Sequence, residues 1–264
     1  MTTDDGQSHM LTARKNPIAN ELIYRLLILG PAKRHFHTIS LRHAGPRPAA
    51  DERPCILFAN HSAWWDAYMI MLANERIWHL DTYVMMEDTQ LVRYPFFRYA
   101  GAFSVDRHNP RSGVESINYI AGVLQARPGR CLLMFPQGEL RANDARPLGF
   151  YTGIGHIVKR TGSCLAYPVA LRYEFVGEQQ PEAFISIGEP QDFGAAEEKP
   201  KDIARRMEPA LTAELDRLRE DVVARRFGSF TILMSGAWSV NRLWDAIRGR
   251  SQIRQLGPQD DVRQ

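Results

Sequence analysis

The chain has 264 residues, of which 44% are hydrophobic and 24% charged, so it is long enough to bury the core of one large domain. This composition excludes disordered, collagen-like and disulfide-scaffold proteins. The net charge of +3 is too small to argue for a nucleic-acid partner. Cys55, Cys131 and Cys164 form no C-x-x-C pair and lie in or beside apolar runs, so we expect reduced core residues and a cytosolic protein.

Residues 1–48 are predicted to be a basic N-terminal segment with an amphipathic helix. The helix should begin at Asn16-Pro17, because Asn is a good cap and Pro suits the first helical position, and should end by Gly30-Pro31. Basic residues surround the apolar stretch 22–29, which favours an anionic membrane surface, although a solvated helix face has the same pattern. No apolar run reaches the roughly 20 residues that span a bilayer, so any membrane contact should be peripheral.

Residues 49–225 alternate between predicted strands and helices, which is typical of an α/β protein with a largely parallel central sheet flanked by helices. Strands are expected over residues 54–59, 82–86, 101–107, 131–135, 163–171 and 184–187, the last at an edge of the sheet. Helices are expected over residues 66–75, 111–126, 155–161 and 200–225. Ser62 or Asn60 should cap the first of these helices. Residues 91–99, with an interior Pro, should form a broken helix at an interface or in the core.

Residues 226–264 are predicted to form a C-terminal amphipathic segment. Trp238 and Trp244 lie in its apolar stretch 230–247, close to Arg242 and Arg248. Tryptophan beside basic residues suits the headgroup level of a membrane, but a terminal helix packed on the core has the same composition. Both interpretations stay open for this segment.

Polar motifs at His61, Arg107 and Gly138 each follow a predicted strand directly. Ligands bind beyond the carboxyl ends of parallel strands, so one shared pocket is expected. His61 and Asp66 are five residues apart, and two such residues point about 140° apart in a continuous helix. His61 should therefore lie in the turn before the helix, where Asp66 can accept its Nδ1 proton and leave Nε2 as a general base. A structural histidine is the alternative, because H-x-x-x-x-D often occurs by chance.

Four ordered blocks give this pair a context. They are Asn60-His61 through Asp66, Gly101-x-Phe103-x-Val105-Asp106-Arg107, Phe135-Pro136-x-Gly138-x-x-Arg141, and Tyr167-Pro168-Val169-Ala170. Over roughly residues 54–190 the chain resembles the glycerolipid acyltransferase family, which includes the lysophosphatidic acid acyltransferases. The resemblance implies a glycerol-3-phosphate acyltransferase-like fold. It also implies transfer of an acyl group from acyl-CoA or acyl carrier protein, as co-substrate, to a hydroxyl group at a membrane surface, with no cofactor.

The resemblance also implies roles for individual residues. His61 would be the general base and Asp66 its orienting carboxylate. Arg107 and Arg141 carry over as ligands of a phosphate-bearing acceptor such as a lysophospholipid, a role that suits the forked donors of guanidinium, and a surface ion pair is the alternative for either. Backbone N–H groups in the turn at Gly138 are candidates to stabilise the oxyanion.

One departure from the family concerns the acceptor. The third block usually reads Phe-Pro-Glu-Gly-Thr-Arg, whereas this chain has Gln137 in place of the acid and Glu139 in place of the threonine. Glu139 should pair with Arg141 and weaken its hold on a phosphate. A glycolipid or an isoprenoid glycoside would instead use hydrogen bonds from Gln137 and Glu139. A phosphate-bearing acceptor ranks first, and the non-phosphate acceptor is the alternative.

Two other classes of function stay open. A non-catalytic lipid-surface protein would use the two terminal segments while His61 is structural. A thioesterase or lipase-type hydrolase would use the same pair to activate water, although the chain has no G-x-S-x-G elbow. No metal site is expected, because His35 and His37 have no nearby Cys or acid cluster. The expected location is cytoplasmic, peripherally bound to the inner face of a membrane.

Overall fold

A nine-stranded sheet organises the residues that the computed structural model describes, which are 10–49, 53–194 and 198–236. The strands in chain order are β1 Thr38–His43, β2 Cys55–Ala59, β3 Asp81–Glu87, β4 Ala102–Val105, β5 Arg130–Met134, β6 Cys164–Glu174, β7 Glu182–Ile187, β8 Gln191–Phe193 and β9 Thr231–Ser235. Their order across the sheet is β4-β3-β5-β2-β6-β7-β1-β9, and β8 pairs with β6.

The sheet is mostly parallel. Strands β4, β3, β5, β2 and β6 run parallel to one another, which confirms the predicted α/β class. Strand β7 is antiparallel to β6 and parallel to β1, so it lies inside the sheet, and the prediction of an edge strand at 184–187 was wrong. The unpredicted strand β1 covers that edge. Its alternating sequence falls in the predicted basic N-terminal segment, whereas its polar side chains Ser40 and Arg42 are buried in the fold.

The N-terminal helix begins where predicted but ends later. The Asn16 side chain accepts the Ala19 N–H and caps α1, Pro17–Ile23. The helix continues through a π-helical turn, Tyr24–Leu29, into α2, Gly30–His35, so the predicted end at Gly30-Pro31 was wrong. In that turn the Gly30 N–H bonds to the Arg25 carbonyl, five residues back. The wider turn accommodates Pro31, which lacks an N–H and would clash in a regular α-helix.

The other helices lie where the sequence predicts them. They are α3 Asp66–Ala73, extended by a π-helical turn at Asn74–Trp78, then α4 Asp88–Arg93, a 3₁₀ helix at Pro95–Ala100, α5 Pro110–Gln125, α6 Gly153–Thr161 and α7 Pro200–Val223. The broken helix expected over 91–99 is confirmed, because the chain changes from α4 to the 3₁₀ helix at Pro95.

Each face of the sheet has its own core. The N-terminal helix and α3 cover one face, where Ile28 and Met69 are buried. Helices α5, α6 and α7 cover the other face, where Ile157 and Leu211 are buried. All three cysteines are buried and free, as expected.

The sheet takes strands from both sides of the predicted segment boundaries. Strand β1 precedes residue 49, and β9 follows residue 225 and pairs antiparallel with β1. Residues 231–235 therefore form a strand, not part of a C-terminal helix. The rest of that predicted segment, including Trp238 and Trp244, lies outside the described residues. Among the residues that the structure does describe, no helix is long and apolar enough to cross a bilayer.

A buried ionic cluster joins β1 to α7. The Arg42 guanidinium donates to Ser186 at 2.9 Å, to Glu214 at 3.3 Å and to Asp221. All four of these side chains are buried. Burial alone would raise the pKa of Asp221, but hydrogen bonds and charge from Arg42 and Arg226 lower it overall. The cluster therefore holds the Asp221 carboxylate in the ionised form.

We expect Arg42→Ala to lower the free energy of unfolding by about 3–5 kcal/mol, because it removes the buried cation that Glu214 and Asp221 share. Urea unfolding at pH 7 measures the loss. Arg25→Ala is the control, since Arg25 forms an exposed pair with Glu21 and should change stability by no more than about 0.5 kcal/mol. Equal, small losses in both variants would contradict the prediction.

The stabilisation by Asp221 should depend on pH. Because folding lowers the Asp221 pKa, its contribution to the free energy of unfolding is complete above the unfolded pKa of about 3.9 and is lost as the pH falls below it.

Candidate active site

A histidine and an aspartate meet in the turn between β2 and α3. His61 Nδ1 lies 2.8 Å from Asp66 Oδ2, in the geometry that their spacing predicts. Asp66 is fully buried, whereas the His61 side chain is 27% exposed. No hydrogen bond to His61 Nε2 is present among the described residues. This nitrogen is therefore free to accept a proton.

The Asp66 carboxylate receives four hydrogen bonds. Besides His61, Oδ2 accepts the N–H groups of Ser62 at 2.6 Å and Ala63 at 2.8 Å, and Oδ1 accepts the Tyr173 hydroxyl at 2.7 Å. Helix α3 has no side-chain cap, so the prediction that Ser62 or Asn60 caps it was wrong. Instead, the Asp66 carboxylate accepts hydrogen bonds from backbone N–H groups of the turn that precedes the helix.

Asn60 attaches this turn to the neighbouring strand β6. Its Oδ1 accepts the Leu171 N–H at 2.8 Å, and its Nδ2 donates to the Leu171 carbonyl at 3.0 Å and to Asn143 at 2.9 Å. Asn60 is buried, and so is Leu171. The residue before His61 is thus fixed to the sheet through both backbone polar groups of Leu171.

The turn after β5 packs directly against His61. The rings of His61 and Phe135 stack with centroids 4.4 Å apart. The His61 N–H donates to Gln137 Oε1 at 2.7 Å, and the Arg141 N–H donates to the His61 carbonyl at 2.8 Å. The first and third sequence blocks therefore form one site, as expected. Gln137 is buried, and its Oε1 is used within the protein instead of contacting an acceptor.

Gly138 brings the second block into the same site. Its φ of +69° is in the left-handed region, and a Cβ there would lie 2.8 Å from Arg107 Nη1 and 2.9 Å from Tyr151 Cε2. The absence of a side chain lets Arg107 lie over the turn. The Gly138 N–H donates to the Phe135 carbonyl at 3.0 Å, so this one of the candidate amides is not a free oxyanion donor. The role of the other N–H groups of the turn stays a prediction.

Both candidate anion-binding arginines are paired with carboxylates. Arg107 Nε lies 2.7 Å from Glu87 Oε2. Arg141 Nε and Nη2 lie 2.9 and 2.8 Å from Glu139 Oε1, and its Nη1 donates to the Leu148 carbonyl at 3.3 Å. About a third of each arginine side chain is exposed. The pairing of Arg141 with Glu139 was expected from the sequence, and that of Arg107 with Glu87 was not.

Aromatic side chains line one side of the turn that carries His61 and Asp66. Trp64 packs edge-on against Trp65 and Tyr68, and Tyr68 contacts Phe97 of the 3₁₀ helix. Trp64 is exposed although it is a large apolar residue. The site therefore borders an apolar surface that faces solvent.

Two residues of the site escaped the sequence analysis, Tyr173 and Glu87. Tyr173 is 107 residues from Asp66, and no local pattern connects them. Glu87 on β3 lies opposite Val105 on β4, and Arg107 follows Val105 by two residues. The pairing of β3 with β4 is therefore the signal that could have placed Glu87 near Arg107.

A metal centre is not part of the described site. Within residues 10–49, 53–194 and 198–236, no group of three or more His, Cys, Asp or Glu side chains could hold a metal ion. His35 packs against Trp65, with ring centroids 5.5 Å apart.

Comparison with known families identifies the class of protein that this fold and site define. The model of the acyltransferase family matches residues 33–172, just over half of the chain and all four sequence blocks. The chain belongs to the acyltransferase family.

Individual relatives point to the glycerolipid members of that family. Over 103 residues the chain is 33% identical to a 1-acyl-sn-glycerol-3-phosphate acyltransferase of Streptococcus pneumoniae. This match covers 38% of the chain and only 36% of that relative. The crystal structure of the 1-acyl-sn-glycerophosphate (LPA) acyltransferase PlsC from Thermotoga maritima superposes with a TM-score of 0.52 at 17% identity, over 76% of this chain and 78% of that one. This likeness confirms the acyltransferase fold.

Proposed function

We propose that this protein transfers a fatty acyl group from acyl-CoA or acyl carrier protein to a hydroxyl of a lysophospholipid of the 1-acylglycerol-3-phosphate type, at a membrane surface. The observation that carries the proposal is the His61–Asp66 pair, whose Nε2 is free in a turn that the surrounding protein holds in place. The name of the Streptococcus pneumoniae relative supports the acceptor class. Phospholipid biosynthesis is the process that this reaction serves.

His61 acts as general base in the proposed reaction. Its Nε2 takes the acceptor hydroxyl proton while the hydroxyl oxygen attacks the thioester carbonyl carbon. Asp66 accepts the Nδ1–H and stabilises the imidazolium that forms. The carbon–sulfur bond then breaks, and the leaving thiolate receives the proton from His61. General base catalysis of this kind typically contributes on the order of 100- to 10,000-fold.

The cysteines do not supply a nucleophile for this reaction. All three are buried in strands. Burial raises the pKa of Cys164 to about 12 and raises that of Cys55 well above its usual value. A thiol with such a pKa is almost wholly protonated at neutral pH, and the thiolate is the reactive form. Direct attack by the acceptor hydroxyl is therefore the step that these residues support.

We expect His61→Ala and Asp66→Asn each to lower kcat by about 100- to 10,000-fold, because each removes part of the base. The assay incubates purified protein with an acyl-CoA, or with acyl carrier protein, and a lysophospholipid, and identifies the acylated product by mass. Circular dichroism shows whether the variants are folded. His156→Ala is the control, since His156 is an exposed histidine on α6 and should leave kcat unchanged.

Three outcomes separate this proposal from its alternatives. Wild-type transfer by His61→Ala would contradict the role of the base. Free fatty acid without acylated lipid would identify a thioesterase or hydrolase. Lipid binding with no consumption of thioester would identify a non-catalytic lipid-surface protein.

A second acceptor class is favoured by the ion pairs of the two arginines. A phosphate can bind Arg141 only if it displaces Glu139 or accepts that carboxylate as a neighbour. An exposed pair is worth no more than about 1 kcal/mol, so displacement is feasible, but the Glu139 charge would still repel a phosphate. An uncharged, hydroxyl-rich headgroup, as in a glycolipid or isoprenoid glycoside, would donate hydrogen bonds to Glu139 without this repulsion.

We expect Glu139→Gln to lower the KM for lysophosphatidic acid about fivefold, because removing one nearby like charge is worth on the order of 1 kcal/mol. The KM for a monoacylated glycolipid should not fall. Steady-state kinetics with both acceptors measure the difference. Glu115→Gln on α5 is the matched control, since Glu115 pairs with Arg111 at a distance of 3.4 Å. A higher KM for lysophosphatidic acid in Glu139→Gln would show that Glu139 helps to bind the phosphate acceptor.

The N-terminal helix presents an apolar stripe that supports action at a membrane surface. Ile18, Leu22 and Leu26 recur every four residues and are 83%, 57% and 61% exposed. Exposed Arg25 lies beside this stripe. The segment before the helix is bonded to the 3₁₀ helix, where the Asn16 N–H donates to the Tyr99 carbonyl at 3.1 Å. An apolar stripe flanked by cations suits the boundary between headgroups and acyl chains of an anionic bilayer.

We expect the double substitution Leu22→Gln and Leu26→Gln to weaken binding to phosphatidylglycerol vesicles at least about tenfold, because it removes apolar area that would be buried in the bilayer. Co-sedimentation with vesicles measures the change. Val223→Gln is the control, because Val223 is an equally exposed apolar residue at the end of α7. Unchanged binding by the double variant would rule out this stripe as the membrane-binding surface.

A further inference from the structure

Tyr173 contacts the oxygen of Asp66 that His61 does not use. Its Oη lies 2.7 Å from Asp66 Oδ1, whereas His61 Nδ1 bonds to Oδ2. Burial, together with the negative charge of Asp66, raises the pKa of Tyr173 well above its usual value. The hydroxyl therefore stays protonated, and it donates the hydrogen bond to the carboxylate.

Packing holds the Tyr173 ring in this position. Tyr173 lies near the end of β6, and its ring is 5.8 Å from that of Phe36, the buried residue that follows the N-terminal helix. Phe36 in turn meets Trp65 of the catalytic turn edge-on at 5.1 Å. The hydroxyl is thus positioned from the sheet, from the N-terminal helix and from the turn that carries the pair.

We propose that Tyr173 is a positioning residue that sets the orientation and basicity of the His61–Asp66 pair. This inference rests on the proposed role of His61 as general base. A donor on Oδ1 fixes the plane of the carboxylate, so that Oδ2 faces Nδ1 and the turn amides. It also draws negative charge away from Oδ2 and so reduces the pull of Asp66 on an imidazolium.

The direction of the effect follows from this geometry. With Tyr173 in place, the Asp66 carboxylate attracts a proton on His61 less strongly. Without the hydroxyl, Asp66 stabilises protonated His61 more strongly, and the protonated form persists to higher pH. The other titratable or charged side chains on the elements around the pair include Tyr68 on α3, Lys33, Arg34 and His35 on α2, Arg172 and Glu174 on β6, Arg107 after β4, and Glu139 and Arg141 after β5. None of these side chains hydrogen-bonds to the Asp66 carboxylate in the described part of the chain.

The test is Tyr173→Phe, which removes the hydroxyl and keeps the ring against Phe36. We expect kcat at pH 7 to fall about tenfold with KM unchanged, and the acidic limb of the profile of kcat/KM against pH to move up by about 0.5–1 unit, since losing this hydrogen bond returns negative charge to Oδ2. An NMR titration of His61 should move up in pH to the same extent.

Tyr119→Phe is the matched control, because the Tyr119 hydroxyl accepts the Ala13 N–H at 3.2 Å in a partly buried site on another element. It should lower thermal stability at most and leave the pH profile unchanged. If Tyr173→Phe also leaves both the acidic limb and the His61 titration in place, or moves them down, the positioning role is wrong. A fully active His61→Ala would overturn the proposed base itself, so the two failures are distinguishable.

Discussion

The rest of the site depends on the burial of the Asp66 carboxylate. A fully buried charge is costly unless hydrogen bonds compensate it, and Asp66 receives four of them. Two donors are amides of its own turn, one is His61 and one is Tyr173 from β6. These groups must come together for the protein to fold around the charge. The orientation of His61 is therefore a consequence of the stability of the core and needs no contact with substrate.

The cost of burying a charge also accounts for the unusual residue at position 137. The Gln137 side chain contributes a carbonyl oxygen to the His61 N–H, and a glutamate would offer an equivalent acceptor. An amide does so without placing a second buried negative charge close to Asp66. The change from acid to amide thus preserves the hydrogen bond to the His61 N–H. The change at Glu139 differs in kind, because that side chain is exposed and pairs with Arg141.

Local sequence patterns predicted the features of the fold and site that depend on local geometry. The continuous apolar runs that became β2 and β5, and the place of His61 before α3, follow from spacing and burial along the chain. Long-range contacts could not be predicted in this way. The burial of Arg42 in strand β1 could not be predicted, because its partners Glu214 and Asp221 are supplied by a helix about 170 residues later. Tyr173 was missed for the same reason, because only the pairing of β6 with β2 brings it to Asp66.

The site therefore has two parts that differ in how well they tolerate substitution. His61, Asp66 and Tyr173 are held by contacts between buried elements, so a change in any of them disturbs the core as well as the chemistry. The arginine–glutamate pairs are partly exposed, contribute little to stability and can exchange partners at low cost. In the proposed reaction, such a base would remove a proton from whichever hydroxyl lies beside Nε2. Under that proposal, the identity of the acceptor would be decided by the balance of charge around Arg107 and Arg141, and not by the His61–Asp66 pair.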